Sequence, residues 1–558
     1  MELSTIDMDQ LRRRYAAGGS LTSSEWSVIS ADERWTAPPH ARSVIEAHDL
    51  LLFIRAFPRN VADRDRASAG LACISGRAAE LAAARKGFAN GLRDSGIDGQ
   101  PMRARFSIDL CRWLLVEEPG AIALDALEGE EDLVRNTLLA LVHQSEREAI
   151  DDARHDPLAR LHDASNGAPL PWLVNAIDHA TADPHLRHAL WETCRPGIRV
   201  TPRHSKLSRT WCEGLADPVH PFPTGTRELG DPRMAMNKPL LPETRLDPRQ
   251  RRALILAGRG VLIGHQRETD PVTLANGRSI VHQRLDHGMS IALLPLPVGR
   301  RTAFDAYVGY VAFANNVPVA YGGAWIFPGK SKVGISVFPA FRGGPSTMLF
   351  AQVLRCYAQR YGVGCFEAEN YQLGHGNADG IRSGAYWFYH RLGFRTEHPR
   401  LAQVAAAERE RVRLEVGYRT PAAVLRKLVV EPMLLRVNGE DAPVFEPLDL
   451  SERVMEHLAA TAEGDRSMAL ERLARRVARK LGVGSMRGWS HGDRAGFMEL
   501  APAVDPIPDL ERWTRSDKQD LVKVMCAKGA ITEDRYIARL RRHARLLQAW
   551  SLIASGGG

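Results

Sequence analysis

Three groups of residues in the middle of this 558-residue chain have types and spacings that could do chemistry. Glu367 and Glu369 stand two apart in the run Cys365-Phe366-Glu367-Ala368-Glu369-Asn370, so in a strand both project from one face together with Cys365. Neighbouring carboxylates raise one another's pKa, which suits a general base. Tyr386 and Tyr389 lie three apart on a following helical stretch with Arg382 one turn earlier, so the three are expected to face one cleft. The run Phe341-Arg342-Gly343-Gly344-Pro345-Ser346-Thr347 joins a β-branched segment, Lys332 to Phe338, to a helical one, Met348 to Tyr361. A glycine turn at a strand-to-helix crossing aims backbone N–H groups at an anionic ligand, so Arg342, Gly343, Gly344, Ser346 and Thr347 are the candidate binding residues.

The elements that must position these groups follow from periodicity. Alternating apolar residues over Ser279 to Leu285 and Ser290 to Leu294, joined by Asp286-His287-Gly288, predict two strands and a turn. Tyr307 to Phe313 and Val317 to Trp325 flank Ala314-Asn315-Asn316, where asparagine tolerates the positive φ of a hairpin. A third strand enters the glycine turn. The helix 348–361 then leads to the Glu367/Glu369 strand and to a single helix from Ile381 to His390. Before this region the chain reads as a helical domain, 1–212, with starts at Ser23-Ser24-Glu25 and at a Ser30-x-x-Glu33 capping box. A proline-rich linker or extended arm follows over 213–252, broken at residues 218, 221, 223, 232, 239, 242 and 248. The catalytic core is expected over 253–396, and 397–558 reads as mainly helical, with a strand or short hairpin at Leu434 to Val437 closed by Asn438-Gly439.

The order strand, strand, strand, Arg-Gly-Gly turn, helix, strand, helix, ending in Phe388-Tyr389-His390-Arg391-Leu392-Gly393-Phe394, resembles the core of the GNAT superfamily of acyl-CoA-dependent N-acyltransferases. The wording of Tyr321-Gly322-Gly323 and of Ser383 to Tyr389 is similar to an uncharacterised bacterial branch of it. The resemblance covers Tyr307 to Phe394, under a fifth of the chain. It implies an α+β fold with a mixed, mainly antiparallel central sheet flanked by helical regions. It also implies acyl-CoA, for instance acetyl-CoA, as donor, its pyrophosphate on the turn at Arg342 to Thr347, and a small-molecule or protein amine as acceptor. By the same resemblance Tyr389 would stand near the thiol of the leaving coenzyme as general acid, with Glu367 or Glu369 as base; no metal is called for. Holding thioester and amine together supplies the larger share of such catalysis, on the order of 7–11 kcal/mol.

The rest of the chain sets bounds. With 74 basic against 66 acidic residues the formal charge of +8 is thinly spread and does not demand an anionic partner. Arginine rows at 472, 475, 476 and 479 (with Lys480) and at 535, 539, 542 and 545 support a second reading, a nucleic-acid (tRNA)-associated protein. Each row also has an apolar opposite face, as ordinary solvated helices do, and Arg12 to Arg14 read the same way. A catalytically inactive GNAT-like scaffold is the third reading. Seven cysteines, scattered and without a Cys-x-x-Cys, point to reduced thiols, and Cys365 to an inert buried one. His375 is expected in a loop, and Trp113, Trp172 and Trp191 in a helical core. The amino terminus carries no secretion-signal pattern and no apolar run reaches the ~18 residues of a membrane helix, so a cytoplasmic protein is expected.

Overall fold

The computed structural model describes residues 3–31, 39–152, 154–216, 218–222, 231–343, 345–437, 444–462 and 464–556. Gly344, Asn438, Gly439 and the Asp32-Glu33 half of the expected Ser30 capping box lie outside them. The protein is α+β and divides into two compact units: 1–225 with 246–274 and 313–319, and 226–245 with 275–312 and 320–558. Among the described residues no helix is long and apolar enough to cross a membrane.

The first unit is not helical throughout. Strands β1 (Met102–Ala104), β2 (Ile122–Leu127) and β3 (Pro196–Val200) form an antiparallel sheet in the order β1-β3-β2. They are short, and β1 and β2 lie between long helical stretches, so period-two alternation never extends far enough to show in the sequence. Two helices carry much of the core: α1 (Ala41–Ala56), with one buried stripe along Val44, Leu51 and Ile54, and α2 (Val61–Ala84). The early start expected near Ser23 is capped one residue before it, by Thr22, whose hydroxyl and Glu25 form a reciprocal box. The stretch read as a linker ends in a helix, α3 (Pro248–Ile263), which has proline in its first turn and Asp247 as its cap.

The second unit is built on a seven-stranded sheet in the order β10-β9-β8-β7-β6-β5-β4. The strands are β4 (Val281–Arg284), β5 (Met289–Pro295), β6 (Ala306–Ala314), β7 (Val317–Ile326), β8 (Ser331–Val337), β9 (Cys365–Ala368) and β10 (Met433–Arg436). β6 and β7 turn over Asn315 and Asn316, both at positive φ, and this tip, 313–319, groups with the first unit. β4 with β5, and β7 with β8, pair antiparallel, whereas β8 and β9 are parallel because α4 (Ser346–Tyr361) crosses between them. α4 is buried on nearly every side, and its Tyr357 hydroxyl donates to the Val308 carbonyl at 2.8 Å, seating the helix on the sheet.

After β9 come α5 (Asn370–Leu373), α6 (Ala378–Ser383) and α7 (Ala385–Arg391). The single helix expected from Ile381 to His390 is therefore two. Gly384 sits at φ 71°, left-handed backbone that ends α6 and starts α7 in a new direction. The break puts Arg382 on a different helix from Tyr386 and Tyr389, so the face expected to hold all three is not formed.

Candidate functional site

β8 and β9 pair only at Ser331 with Phe366 and Lys332 with Glu367. Beyond that point β9 ends and the chain turns into α5, while β8 continues to Val337 with β7 as its partner. Among the described residues the other edge of β8, from Val333 to Val337, thus has no strand partner. Tyr389 fills the start of this opening. Its ring is 2% exposed and meets Phe350 and Phe394 edge to face, at 5.6 and 5.3 Å. Its hydroxyl faces the backbone N–H of Ile335 and donates to the Gln372 side-chain oxygen at 3.5 Å. Burial pushes the Tyr389 pKa well above the usual tyrosine value, against the smaller opposing effect of the Ile335 N–H, so the hydroxyl keeps its proton. Gln372 reaches it because residue 334 is glycine: a Cβ there would stand 2.9 Å from the Gln372 amide nitrogen.

The glycine turn lies past the end of β8. Gly343 has φ 117°, and Ser346 closes the turn on itself: its N–H donates to the Gly343 carbonyl at 2.9 Å, and its hydroxyl accepts from the Gly343 N–H at 3.2 Å. Pro345 is the residue preceding α4 and gives no side-chain cap. The Leu349 N–H bonds back to the Pro345 carbonyl, and Thr347 and Met348 stand in the first turn, at the positive end of a 16-residue helix. Arg342 stands beside them, half exposed, its Nε donating to Val337 and one Nη 3.6 Å from Asp379 of α6.

On the face of the sheet that carries Gln372 there is a cavity of about 300 Å³, walled by Trp325, Phe327 and Phe445 and by charged residues including Lys330, Lys332 and Glu369. Trp325 stacks on Tyr307 of β6 at 4.2 Å and 11°. The approach is allowed by Gly323 between them, whose Cβ would stand 2.5 Å from the Tyr307 ring. Glu367 and Glu369 both turn to this side, as their spacing implies, yet each meets a lysine rather than the other carboxylate. Lys330 Nζ lies 2.6 Å from Glu367 and 2.7 Å from Glu446; Lys332 Nζ lies 3.3 Å from Glu369 and 3.4 Å from Glu446. Burial works against the charge of Lys330, but its hydrogen bonds to Glu367 and Glu446 outweigh that and raise its pKa. Glu367 is buried inside this network; Glu369, 44% exposed, is the carboxylate open to the cavity.

The other expected residues scatter. Arg382 is exposed and pairs with Asp379, and His375 lies in the exposed loop before α6. Tyr386 is buried, its pKa pushed up to about 12 by burial, and its hydroxyl has no hydrogen-bond partner among the described residues. The Cys365 thiol is buried and its pKa raised, as an inert thiol would be. Trp191 is a core residue donating to the Phe106 carbonyl at 2.7 Å. In the first arginine row Arg476 and Lys480 close on buried Asp505 and Arg475 on Glu471; in the second, Arg545 pairs with Asp517 and Arg539 donates to a carbonyl.

The site residues not foreseen are Lys330, Lys332, Gln372, Tyr307 and Trp325. One signal was present: Lys330 and Lys332 repeat the two-residue spacing of Glu367 and Glu369, as a charge-matched parallel pair must. Comparison with family models, with curated proteins and with solved structures returns no match to this chain.

Proposed function

We propose that the second unit is a GNAT-like acyltransferase that moves an acyl group from an acyl-CoA to an amine. The observation that carries this reading is the parting of β8 from β9 with the protonated Tyr389 hydroxyl at its apex. The edge of β8 from Val333 to Val337 has no strand partner beyond Lys332, and the backbone groups there other than the Ile335 N–H, met by Tyr389, and the Val337 carbonyl, met by Arg342, can serve an extended, amide-bearing chain as an added strand would use them. The arm of coenzyme A is such a chain. Its diphosphate then falls toward the α4 N-terminus, where the N–H groups of Thr347 and Met348 and the Arg342 guanidinium favour negative charge.

With the arm in the opening, the thioester lies at Tyr389 and the cavity beyond Gln372 receives the amine. The amine nitrogen attacks the thioester carbon, the C–N bond forms and the C–S bond breaks. The Tyr389 proton goes to the departing sulfur, and the tyrosine recovers a proton released by the amine nitrogen. Glu369, open to the cavity at the same end, accepts a hydrogen bond from the incoming amine. Glu367 holds Lys330 in place.

Calorimetric titration with acetyl-CoA and longer acyl-CoAs tests the donor, and Tyr389→Phe tests the acid. The variant is expected to bind acyl-CoA as the parent does while turnover falls ~10²-fold. A folded protein that binds no thioester would leave the GNAT-like core as a scaffold, and an unchanged turnover would return Tyr389 to packing.

A further inference from the structure

The charges on the cavity wall answer one another. Lys330 lies between Glu367 and Glu446 at 2.6 and 2.7 Å, and Lys332 between Glu369 and Glu446 at 3.3 and 3.4 Å. At the Asp305 end, Lys528 donates to the Asp305 carbonyl at 2.7 Å and meets Glu533 at 2.8 Å, with Arg301 3.8 Å from Glu533. An ammonium group or a carboxylate brought into this cavity would shed its water and have to break one of these pairs to gain a counterion. The buried part of the occupant is therefore uncharged.

The rest of the wall is aromatic and apolar. Trp325, Phe327 and Phe445 are joined there by Pro447 and Leu448. Phe327 and Phe445 meet edge to face at 5.2 Å and Trp325 is stacked on Tyr307, yet Trp325 and Leu448 remain 37% and 67% exposed. Exposed apolar side chains that converge on one hollow, unlike those scattered singly over a surface, mark a binding site. At about 300 Å³ the hollow has room for a small ring system, and a flat one extends the Tyr307–Trp325 stack. This stack adjoins the transfer point. Gly323 of β7 and Gly334 of β8 are cross-strand partners; Tyr307 lies over the first and Gln372 over the second, and Gln372 accepts from the Tyr389 hydroxyl.

We infer that the acceptor is an arylamine, its ring packed on Trp325 and its nitrogen directed past Glu369 to Tyr389. The ring draws on the nitrogen lone pair, so an arylamine is unprotonated at neutral pH. It enters a charge-balanced cavity without a counterion and attacks without a base to strip it first. The bond from nitrogen to the thioester carbon forms as the C–S bond breaks; Tyr389 gives its proton to the sulfur and takes the one that the nitrogen releases. This rests on the acyl-transfer reading for the fate of the nitrogen, but binding is measured without a donor.

The full chain is titrated calorimetrically with p-toluidine and with its isomer benzylamine, which carries the same ring and a protonated nitrogen. p-Toluidine is expected to bind about tenfold more tightly. Trp325→Leu is expected to weaken p-toluidine binding about tenfold in a variant whose circular dichroism matches that of the parent. Equal binding of the isomers, tighter binding of benzylamine, or p-toluidine binding that a folded Trp325→Leu leaves intact overturns the inference; if the variant unfolds, the comparison of isomers on the parent decides. p-Toluidine binding without acetyl-CoA binding would sustain the aromatic site and sink the transferase; acetyl-CoA binding without p-toluidine binding would do the reverse.

Discussion

In the first unit, Arg209 and Asp49 form an ion pair beside His48 and Arg55; in the second, Lys330 and Lys332 pair with glutamates on a cavity wall. The first group is largely buried, with Asp49 a quarter exposed. Arg209 also donates to the Ser95 carbonyl and Arg55 to the Thr210 carbonyl, while the Thr210 hydroxyl accepts from the Asp98 N–H and lies 3.0 Å from His48 Nε2. These contacts lace α1 to the 205–213 stretch, so the charges act as rivets between chain segments. The second group opens on a cavity. Buried charge with strongly displaced pKa values is often taken to mark a functional site; here it also marks a group that ties chain segments together, while the lysine and glutamate group on the cavity wall is partly exposed.

Breaking the buried group gives the largest effect. Arg209→Met leaves Asp49, three-quarters buried, without its cation, at a cost of about 1–3 kcal/mol. The loss is read as a lower denaturation midpoint of the first unit, and a shift smaller than that of an exposed ion pair would mean that solvent replaces the lost contact in full.

Acid sharpens the same contrast. Burial lowers the His48 pKa from 6.5 to about 4, against the weaker pull of Asp49 in the other direction. His265 is also lowered, by burial and then by the Arg209 charge. Between pH 6.5 and 4 the unfolded chain therefore binds protons that the folded unit refuses. Stability is full above 6.5 and is lost as pH falls through this window, by up to about 1.4 kcal/mol per pH unit for each histidine. Asp49, whose pKa lies below its ordinary value, contributes only at lower pH. Unfolding midpoints of the first unit at pH 7 and pH 4.5 measure the drop; pH-independent midpoints would mean that His48 is protonated in the folded unit.

The difference between the two groups also explains what the sequence could reveal. The strands around the site were legible from β4 to β9 because each alternates in a run bounded by turn residues, Asp286-His287-Gly288 and Asn315-Asn316 among them. The Glu367 and Glu369 side chains were correctly placed on one face, but their partners were not, since a parallel register across a helical crossing leaves no local trace. Gly384 was read through because a single glycine inside an aromatic helical pattern weakens a helix without announcing a left-handed turn. The group at His48 was invisible for a different reason: its members come from residues 48–55, 95–98 and 205–213, and only tertiary packing brings them together.

The smallest effect on stability separates the two groups most cleanly. Lys332 is paired at 3.3 and 3.4 Å with carboxylates that are 44% and 37% exposed, so the two pairs exchange protein contacts for water with little net gain. Lys332→Met should cost less than about 1 kcal/mol in the unfolding of the second unit, below Arg209→Met in the first. Its effect on binding runs the other way. Removing the ammonium leaves Glu369 unpaired toward the cavity and makes the wall more negative, so a simple amine such as pentylamine should bind a few-fold more tightly to the variant than to the parent. The gain should vanish as added salt shortens the screening length to ~3 Å near 1 M. Weaker pentylamine binding by a stably folded variant would mean that Lys332 orders the carboxylates rather than neutralising them, and that the cavity, like the group at Arg209, depends on its ion pairs to hold its shape.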